Sequence, residues 1–289
     1  PPPEGTKGWK MRVGIQGDVG SFSEEAARRL LGNEISVVGF RRFEDVFAAV
    51  ARRELDGCVV PLENSIAGSV HTNYDLMLKY HFRICREYYL RVCHHLIVFP
   101  GVDLKDIRTV ISHPVALAQC ERFLGMHPEW EVVATYDTSG SVREVMEKNL
   151  RDCAAIAGRR AAECFGGEIL VSNIQDSVEN YTRFVFLRLE PTGETGDKVS
   201  LVFRLANVPG TLFRALGVFA QRGVNLLKIE SRPLKDRPWE YLFYVDLAGG
   251  LGEDKVAEAV EELQGVCEYI EVLGCYSGIG MMDTGEGRL

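Results

Sequence analysis

From residue 11 onward, short apolar runs alternate with amphipathic stretches. Residues 11–16 predict a strand, 17–20 a turn and 21–31 a helix, with Ser21 and Glu24 at capping-box spacing. The unit recurs as strand 35–40 with helix 43–55, then strand 57–62 with helix 69–80. This is the rhythm of a mostly parallel α/β sheet. Residues 82–99 break it with a long β-rich stretch that has few turn signals. The alternation then resumes as strand 107–111 with helix 114–124, strand 132–136 with helix 141–148, and strand 154–157 with helix 159–165. Strands at 169–173 and 184–189 close the set. Two α/β lobes follow, with crossings near 82–95 and 175–185, an arrangement that makes a hinged cleft.

Residues 191–197 are polar and carry Gly193 and Gly196, the composition of a domain boundary. Beyond them come strand 199–205, helix 210–222, strands 225–232 and 241–247, helix 254–266 and strand 269–276. The order β-α-β-β-α-β is the split, ferredoxin-like pattern. The expected organisation is therefore a tail at 1–11, a two-lobed domain at 12–190, a linker at 191–197, a smaller domain at 198–277 and a Gly-rich tail at 278–289.

Composition narrows the function. A chain of 289 residues, 46% hydrophobic and 26% charged, is ordinary for a folded protein with more than one core. Its net charge of −8 argues against general affinity for nucleic acid or anionic membrane, so an anionic ligand would be held by local groups. An apolar run approaching the roughly 20 residues of a membrane helix is absent, as is a signal-like start, and the expectation is a soluble chain without a leader. Eight cysteines without a C-x-x-C pair predict free thiols in a reducing compartment. Adjacent His94 and His95 would face opposite sides of a strand, so no metal is predicted there.

Ligands of open α/β sheets bind beyond the carboxyl ends of the strands. The turns at those ends hold Gly17, Ser21 and Ser23; Glu63, Asn64 and Ser65 with Gly68 and Ser69; Ser112, His113 and Pro114; and Asp137, Thr138, Ser139 and Gly140. Each reads singly as a helix cap or an Asx turn. Four such turns in two facing lobes predict a small anionic ligand. Gln119, five residues after Pro114, either faces the same cleft as Ser112 or is solvated. Asn180-Tyr181-Thr182-Arg183-Phe184 opens the apolar run that follows it; either it simply starts an edge strand, or its amide, hydroxyl and guanidinium hold an anion and offer it a proton. Gly14, Gly17 and Gly20 with Arg41-Arg42 offer a rival dinucleotide reading, weakened by the lack of the tight G-x-G turn.

These segments resemble prephenate dehydratases and the related arogenate dehydratases over residues 12 to about 277. The resemblance is carried by Gln16-Gly17 with Gly20-Ser21-Phe22-Ser23, Pro61-Leu62-Glu63-Asn64-Ser65 through Gly68-Ser69, Ser112-His113-Pro114 through Ala118-Gln119-Cys120, and Asn180-x-Thr182-Arg183-Phe184. The C-terminal part is similar to the family's ACT regulatory domain, with Pro209-Gly210-Thr211-Leu212-Phe213 and Glu230-Ser231-Arg232-Pro233 at its phenylalanine-binding motifs. Thr211 and Phe213 replace the commoner Ala and Val, and Val115 stands where Gln is frequent.

The resemblance implies a two-lobed, periplasmic-binding-protein-like catalytic domain. It also implies loss of the ring hydroxyl and ring carboxylate of prephenate, or of arogenate, without metal or redox cofactor. It assigns Thr182 to the leaving hydroxyl and Arg183 to a substrate carboxylate, with Glu63, Asn64, Ser112 and Gln119 completing the pocket. Asn180, Phe184, Ser21, Ser65, Thr138 and Ser139 are the further substrate-binding candidates. Glu63, with its pKa raised in a dry cleft, is the alternative acid. Phenylalanine is expected at Asn207, Pro209, Gly210, Thr211, Leu212, Glu230, Ser231 and Arg232, in a homodimer or homotetramer. The expected compartment is the cytoplasm, or a plastid stroma after removal of a transit peptide. A two-lobed receptor and an NADP-dependent oxidoreductase remain as rivals.

Overall fold

The computed structural model describes residues 10–190, 195–234 and 237–279. The expected segments 1–9, 191–194 and 280–289 lie outside them. Three strand–helix repeats come first: β1 (Arg12–Gln16) with α1 (Phe22–Leu31), β2 (Ser36–Phe40) with α2 (Phe43–Ala51), and β3 (Gly57–Asn64), which leads through β4 (Gly68–Ser69) to α3 (His71–Tyr80). Strand β1 lies between β2 and β3, runs parallel to both and buries Val13 and Ile15 completely. Gly14 lies between them because α2 packs closely there. A Cβ at this position would stand 2.8 Å from Leu55 Cδ1 and 3.0 Å from Val46 Cγ1. This glycine is explained by packing and needs no nucleotide.

The chain continues as β5 (Arg83–Arg91) and then enters a second sheet with β6 (His95–Val98), β7 (Thr109–Ser112), α4 (Pro114–Ala118), α5 (Glu121–Gly125), β8 (Glu131–Ala134), α6 (Thr138–Glu147), β9 (Cys153–Ala157), α7 (Arg159–Phe165) and β10 (Glu168–Val171). Its order is β10-β6-β9-β7-β8, with β7 parallel to β8 and β9, and β6 antiparallel to β9 and β10. β11 (Tyr181–Arg188) then returns to the first sheet between β5 and β3. The result is two lobes joined by two crossings.

Three details differ from the sequence expectation. The helix expected over 114–124 breaks at Gln119 and Cys120. Asp176 N donates to the Gln119 carbonyl at 2.7 Å, and the Asp176 carboxylate accepts from Arg122 N at 3.1 Å, so a neighbouring segment takes over both the end of α4 and the start of α5. The helix expected over 141–148 starts at Thr138, because the Asp137 side chain caps it by accepting from Gly140 N. The Ser21 capping box is half formed. Ser21 Oγ accepts from Glu24 N at 3.3 Å, while the Glu24 carboxylate accepts from Gly20 N at 2.7 Å.

The chain divides into two compact units, the first comprising residues up to Tyr80 with Tyr88–Phe184 and the second His81–Glu87 with the residues from Val185 on. In the second, β12 (Lys198–Arg204), α8 (Thr211–Gln221), β13 (Leu226–Leu234), β14 (Arg237–Ala248), α9 (Asp254–Val266) and β15 (Tyr269–Tyr276) form the ferredoxin-like sheet β13-β14-β12-β15, antiparallel throughout. Val199, Leu201 and Phe203 pack against Val218, Phe219, Val256 and Leu263 of its helices. Gly278 and Ile279 form a short strand, β16, at the start of the segment expected as a Gly-rich tail.

Candidate active site

Polar side chains from distant parts of the first unit meet at the end of β3. The Asn64 Oδ1 atom accepts from the backbone N–H groups of Ile66 at 3.0 Å and Ala67 at 2.8 Å, closing an Asx turn. This fixes which end of the amide is which. Its Nδ2 donates to Thr182 Oγ1 at 2.9 Å, Asn180 Oδ1 at 2.8 Å and the Tyr181 carbonyl at 3.2 Å. Asn180 Nδ2 in turn donates to Gln119 Oε1 at 3.0 Å, and Gln119 Oε1 lies 2.9 Å from His94 Nε2. Ser65 clamps the start of β11, donating from Oγ to the Glu179 carbonyl at 2.8 Å and accepting from Tyr181 N at 3.0 Å.

Thr182 and Asn180 are both buried. The Thr182 hydroxyl accepts a hydrogen from Asn64, so its own hydrogen is left for another acceptor. Arg183 is buried and held by contacts within the protein, and strand alternation sets it on the opposite face of the sheet from Thr182. Phe184 is buried in the same strand. Glu63 is half-buried and in register with Ser69 of β4.

The remaining sequence candidates are placed less uniformly. Ser112 is fully buried, with its hydroxyl donated to the Ile156 carbonyl at 2.6 Å. Ser139 is fully buried in the first turn of α6 and donates to Asp137 Oδ1 at 3.1 Å. Ser21 serves as the N-cap of α1, and Thr138 starts α6 half-buried. A cavity of about 540 Å³ opens between the lobes and is lined by Gly17, Asp18, Arg41, Tyr136, Asp137 and Arg143 among others. It lies at the carboxyl ends of β1 and β2, on the sheet edge that also carries Asn64 two strands away from β2. Arg42, from the dinucleotide reading, is paired with Asp45 on its own helix.

In the second unit, Asn207, Pro209 and Gly210 form an exposed turn before α8. Gly210 has φ +83°, and Thr211 Oγ1 donates back to the carbonyls of Ala206 and Val208. Leu212 is partly exposed; Glu230, Ser231 and Arg232 lie along β13, with Glu230 paired to Lys228 at 3.0 Å.

Two groups escaped the sequence reading. Glu24, only 1% exposed, joins the lobes by accepting from Arg160 as well as from Gly20 N and Arg28. Burial pushes its carboxyl up, but the Arg160 bonds, the Gly20 N–H and the Arg28 bond outweigh that and hold it down at about 2. Its capping-box spacing was visible, whereas Arg160 lies in the other lobe. His94 is the second; burial lowers its pKa against the opposing bond to Gln119. His95 has a different partner, accepting on Nδ1 from Asn173 N, so the two rings do not converge. Among the described residues no cluster of three or more His, Cys, Asp or Glu is placed to hold a metal ion. All eight cysteines are free, and burial pushes Cys120 up to about 12 and Cys153 to about 11, which leaves both poor nucleophiles.

A family model described as prephenate dehydratase matches residues 13–192, and one described as ACT domain matches residues 199–265. Arogenate dehydratase/prephenate dehydratase 2, chloroplastic, of Arabidopsis thaliana is 40% identical over 286 residues, covering 94% of this chain and 74% of that protein. A prephenate dehydratase from Arthrobacter aurescens, solved in complex with L-Phe, superposes with a TM-score of 0.83 at 30% identity, covering 92% of this chain and 90% of the other. A structure described as a novel type of quorum quenching acylase superposes with a TM-score of 0.84 at 32% identity, covering 92% and 98%.

Proposed function

The chain belongs to the prephenate dehydratase family, and from that premise we propose that it converts prephenate to phenylpyruvate with release of water and CO2, as a step of phenylalanine biosynthesis. The C–C bond to the ring carboxylate breaks, its electron pair enters the ring, and the ring hydroxyl leaves with one added proton as water. Aromatisation drives the reaction, so the protein's part is to orient a dianion and assist one departing oxygen. The observation that carries this reading is the Asn64 to Thr182 hydrogen bond, which makes the hydroxyl an aimed donor. Thr182 contacts the leaving hydroxyl, while Asn64 and Asn180 hold it in place. Glu63 is proposed as the competing acid, and Arg183, buried on the sheet face away from Thr182, is proposed to support the strand rather than to hold the substrate carboxylate that the resemblance assigns to it. Ser112 and Ser139, whose hydroxyls are committed inside the protein, support the walls.

Arogenate, which carries an ammonium where prephenate has a keto oxygen, is the second substrate proposed. The name of the Arabidopsis relative gives both activities, which supports it as a second substrate. That same name supports a plastid stroma as the alternative to the cytoplasm. An acylase that used Thr182 as its nucleophile would need a base beside it; among the described residues, its hydroxyl is bonded to Asn64 Nδ2, a donor that cannot take up a proton.

In the second unit, phenylalanine is proposed to bind beside the Asn207–Leu212 turn and the 230–232 segment, in a dimer or tetramer formed through ACT units. Turnover of prephenate, arogenate and an N-acylated amide, with and without phenylalanine, tests these assignments. The expected result is release of CO2 from one or both of the first two, a phenylalanine-dependent rate and no acyl cleavage. Acyl cleavage without CO2 release would refute the reading.

A further inference from the structure

Building on the dehydratase reading, we propose that His94 is a positioning residue: as the neutral tautomer with its hydrogen on Nε2, it completes the amide relay Gln119–Asn180–Asn64 in the direction Asn64 sets, and thereby holds in place the amide that keeps the Thr182 hydrogen turned toward substrate. The direction is set at one end by Asn64. With Oδ1 occupied by two backbone N–H groups, Nδ2 must face Thr182 and Asn180. Asn180, its Oδ1 taken, presents Nδ2 to Gln119, so Gln119 answers with Oε1. That oxygen lies 2.9 Å from His94 Nε2, and two acceptors do not bond to each other. Nε2 therefore carries the hydrogen.

The other ring nitrogen agrees. His94 is 2% exposed, and Nδ1 is buried without a hydrogen-bond partner among the described residues. An N–H there would be an unmet buried donor, whereas a bare lone pair costs less. The ring is also unable to swing away. His94 N donates to Gln175 Oε1 at 2.9 Å, the His94 carbonyl accepts from Ile174 N at 2.9 Å, and Phe22 packs edge-on at 5.6 Å.

The consequence reaches Thr182 through polarity. If Nε2 lost its hydrogen, Gln119 would turn its Nε2 toward His94 and set a donor against Asn180 Nδ2, while Asn64, held by Ile66 N and Ala67 N, could not reverse to relieve it. The mismatch would fall on Asn180 and loosen the Asn64 amide that aims the Thr182 hydroxyl. The crossing segment and both lobes contribute to this relay, so an intact relay also reports a correctly assembled cleft.

The test compares His94→Leu, which removes the donor, with His94→Gln, which keeps one. Expected is a fall in kcat of about 10- to 100-fold for the leucine variant with KM within about threefold, and recovery to within about threefold of wild type for the glutamine variant. Nitrogen-15 NMR of the histidine-labelled wild-type protein at neutral pH should show the His94 hydrogen on Nε2. Equal losses in two folded variants, an unchanged leucine variant, or a wild-type ring protonated on Nδ1 would overturn the proposal. If neither variant folds, the wild-type spectrum decides. A wild-type protein inactive toward prephenate and arogenate would instead refute the dehydratase reading, which the spectrum does not depend on.

Discussion

Asn64 and Thr182 meet at 2.9 Å with the amide as donor and the hydroxyl as acceptor. A threonine hydroxyl is a very weak acid, and placing a donor on its oxygen both orients the hydrogen and stabilises negative charge that develops there. Replacing Asn64 with Asp reverses the polarity while still accepting from Ile66 N and Ala67 N. Asn64→Asp is therefore expected to melt near the wild-type temperature and to lose about 10²-fold in kcat. Near-normal kcat would separate Asn64 from the chemistry.

Glu24 sets an acid limit on stability. Its folded pKa of about 2 lies below the ordinary value of 4.5, so its contribution is complete above 4.5 and is lost as pH falls through that value toward 2. Denaturant melts of wild type should lose stability steeply over this window, on the order of 3 kcal/mol from this group. Glu24→Gln should be less stable at neutral pH and show a flatter acid limb. Parallel limbs for the two proteins would remove Glu24 as the cause.

Gly20 reports contact between the lobes. At φ +83°, a Cβ would lie 2.9 Å from Ala161 Cα, backbone that cannot give way cheaply. Gly20→Ala should cost roughly 2–4 kcal/mol, combining backbone strain with a clash. Gly166→Ala, left-handed at φ +74° but facing open space, should cost about 1 kcal/mol. Equal melting shifts would mean that the close approach to Ala161 contributes nothing.

Within the second unit, Lys198 lies buried 3.0 Å from both Glu87 carboxylate oxygens and 3.5 Å from Asp246, whose other oxygen accepts from Ser200. Lys198→Met removes the ammonium that two buried carboxylates share. A loss of about 3–5 kcal/mol is expected in chemical denaturation, partly restored by adding Glu87→Gln. A stable single variant would show that the carboxylates find other compensation.

Much of this molecule is legible along the chain because its elements follow local rules. Alternating apolar runs mark most strands of the two lobes, though not the two-residue β4 or the break between β5 and β6, and Asn180 to Phe184 stand out as polar residues beside an apolar run. What sequence spacing does not carry is direction and long-range partnership. Asn64 and Thr182 lie 118 positions apart, and which of them donates is decided by two local N–H groups. The break after α4 depends on Asp176, far along the chain, and Glu24 depends on Arg160 of the opposite lobe. Ser112 and Thr182 look equally available as residue types, yet only the fold directs the Ser112 hydroxyl into the Ile156 carbonyl. Along the chain His94 is only one of two histidines on opposite faces of a strand, and its partner Gln119 lies 25 positions away on another element.

The most direct test of the central claim is the kcat for CO2 release from prephenate by Thr182→Val, which keeps the shape of the side chain and removes its hydroxyl. The account predicts a folded protein with kcat reduced about 10²- to 10⁴-fold. Near-wild-type turnover in Thr182→Val, together with its loss in Glu63→Gln, would contradict it and assign the proton to Glu63.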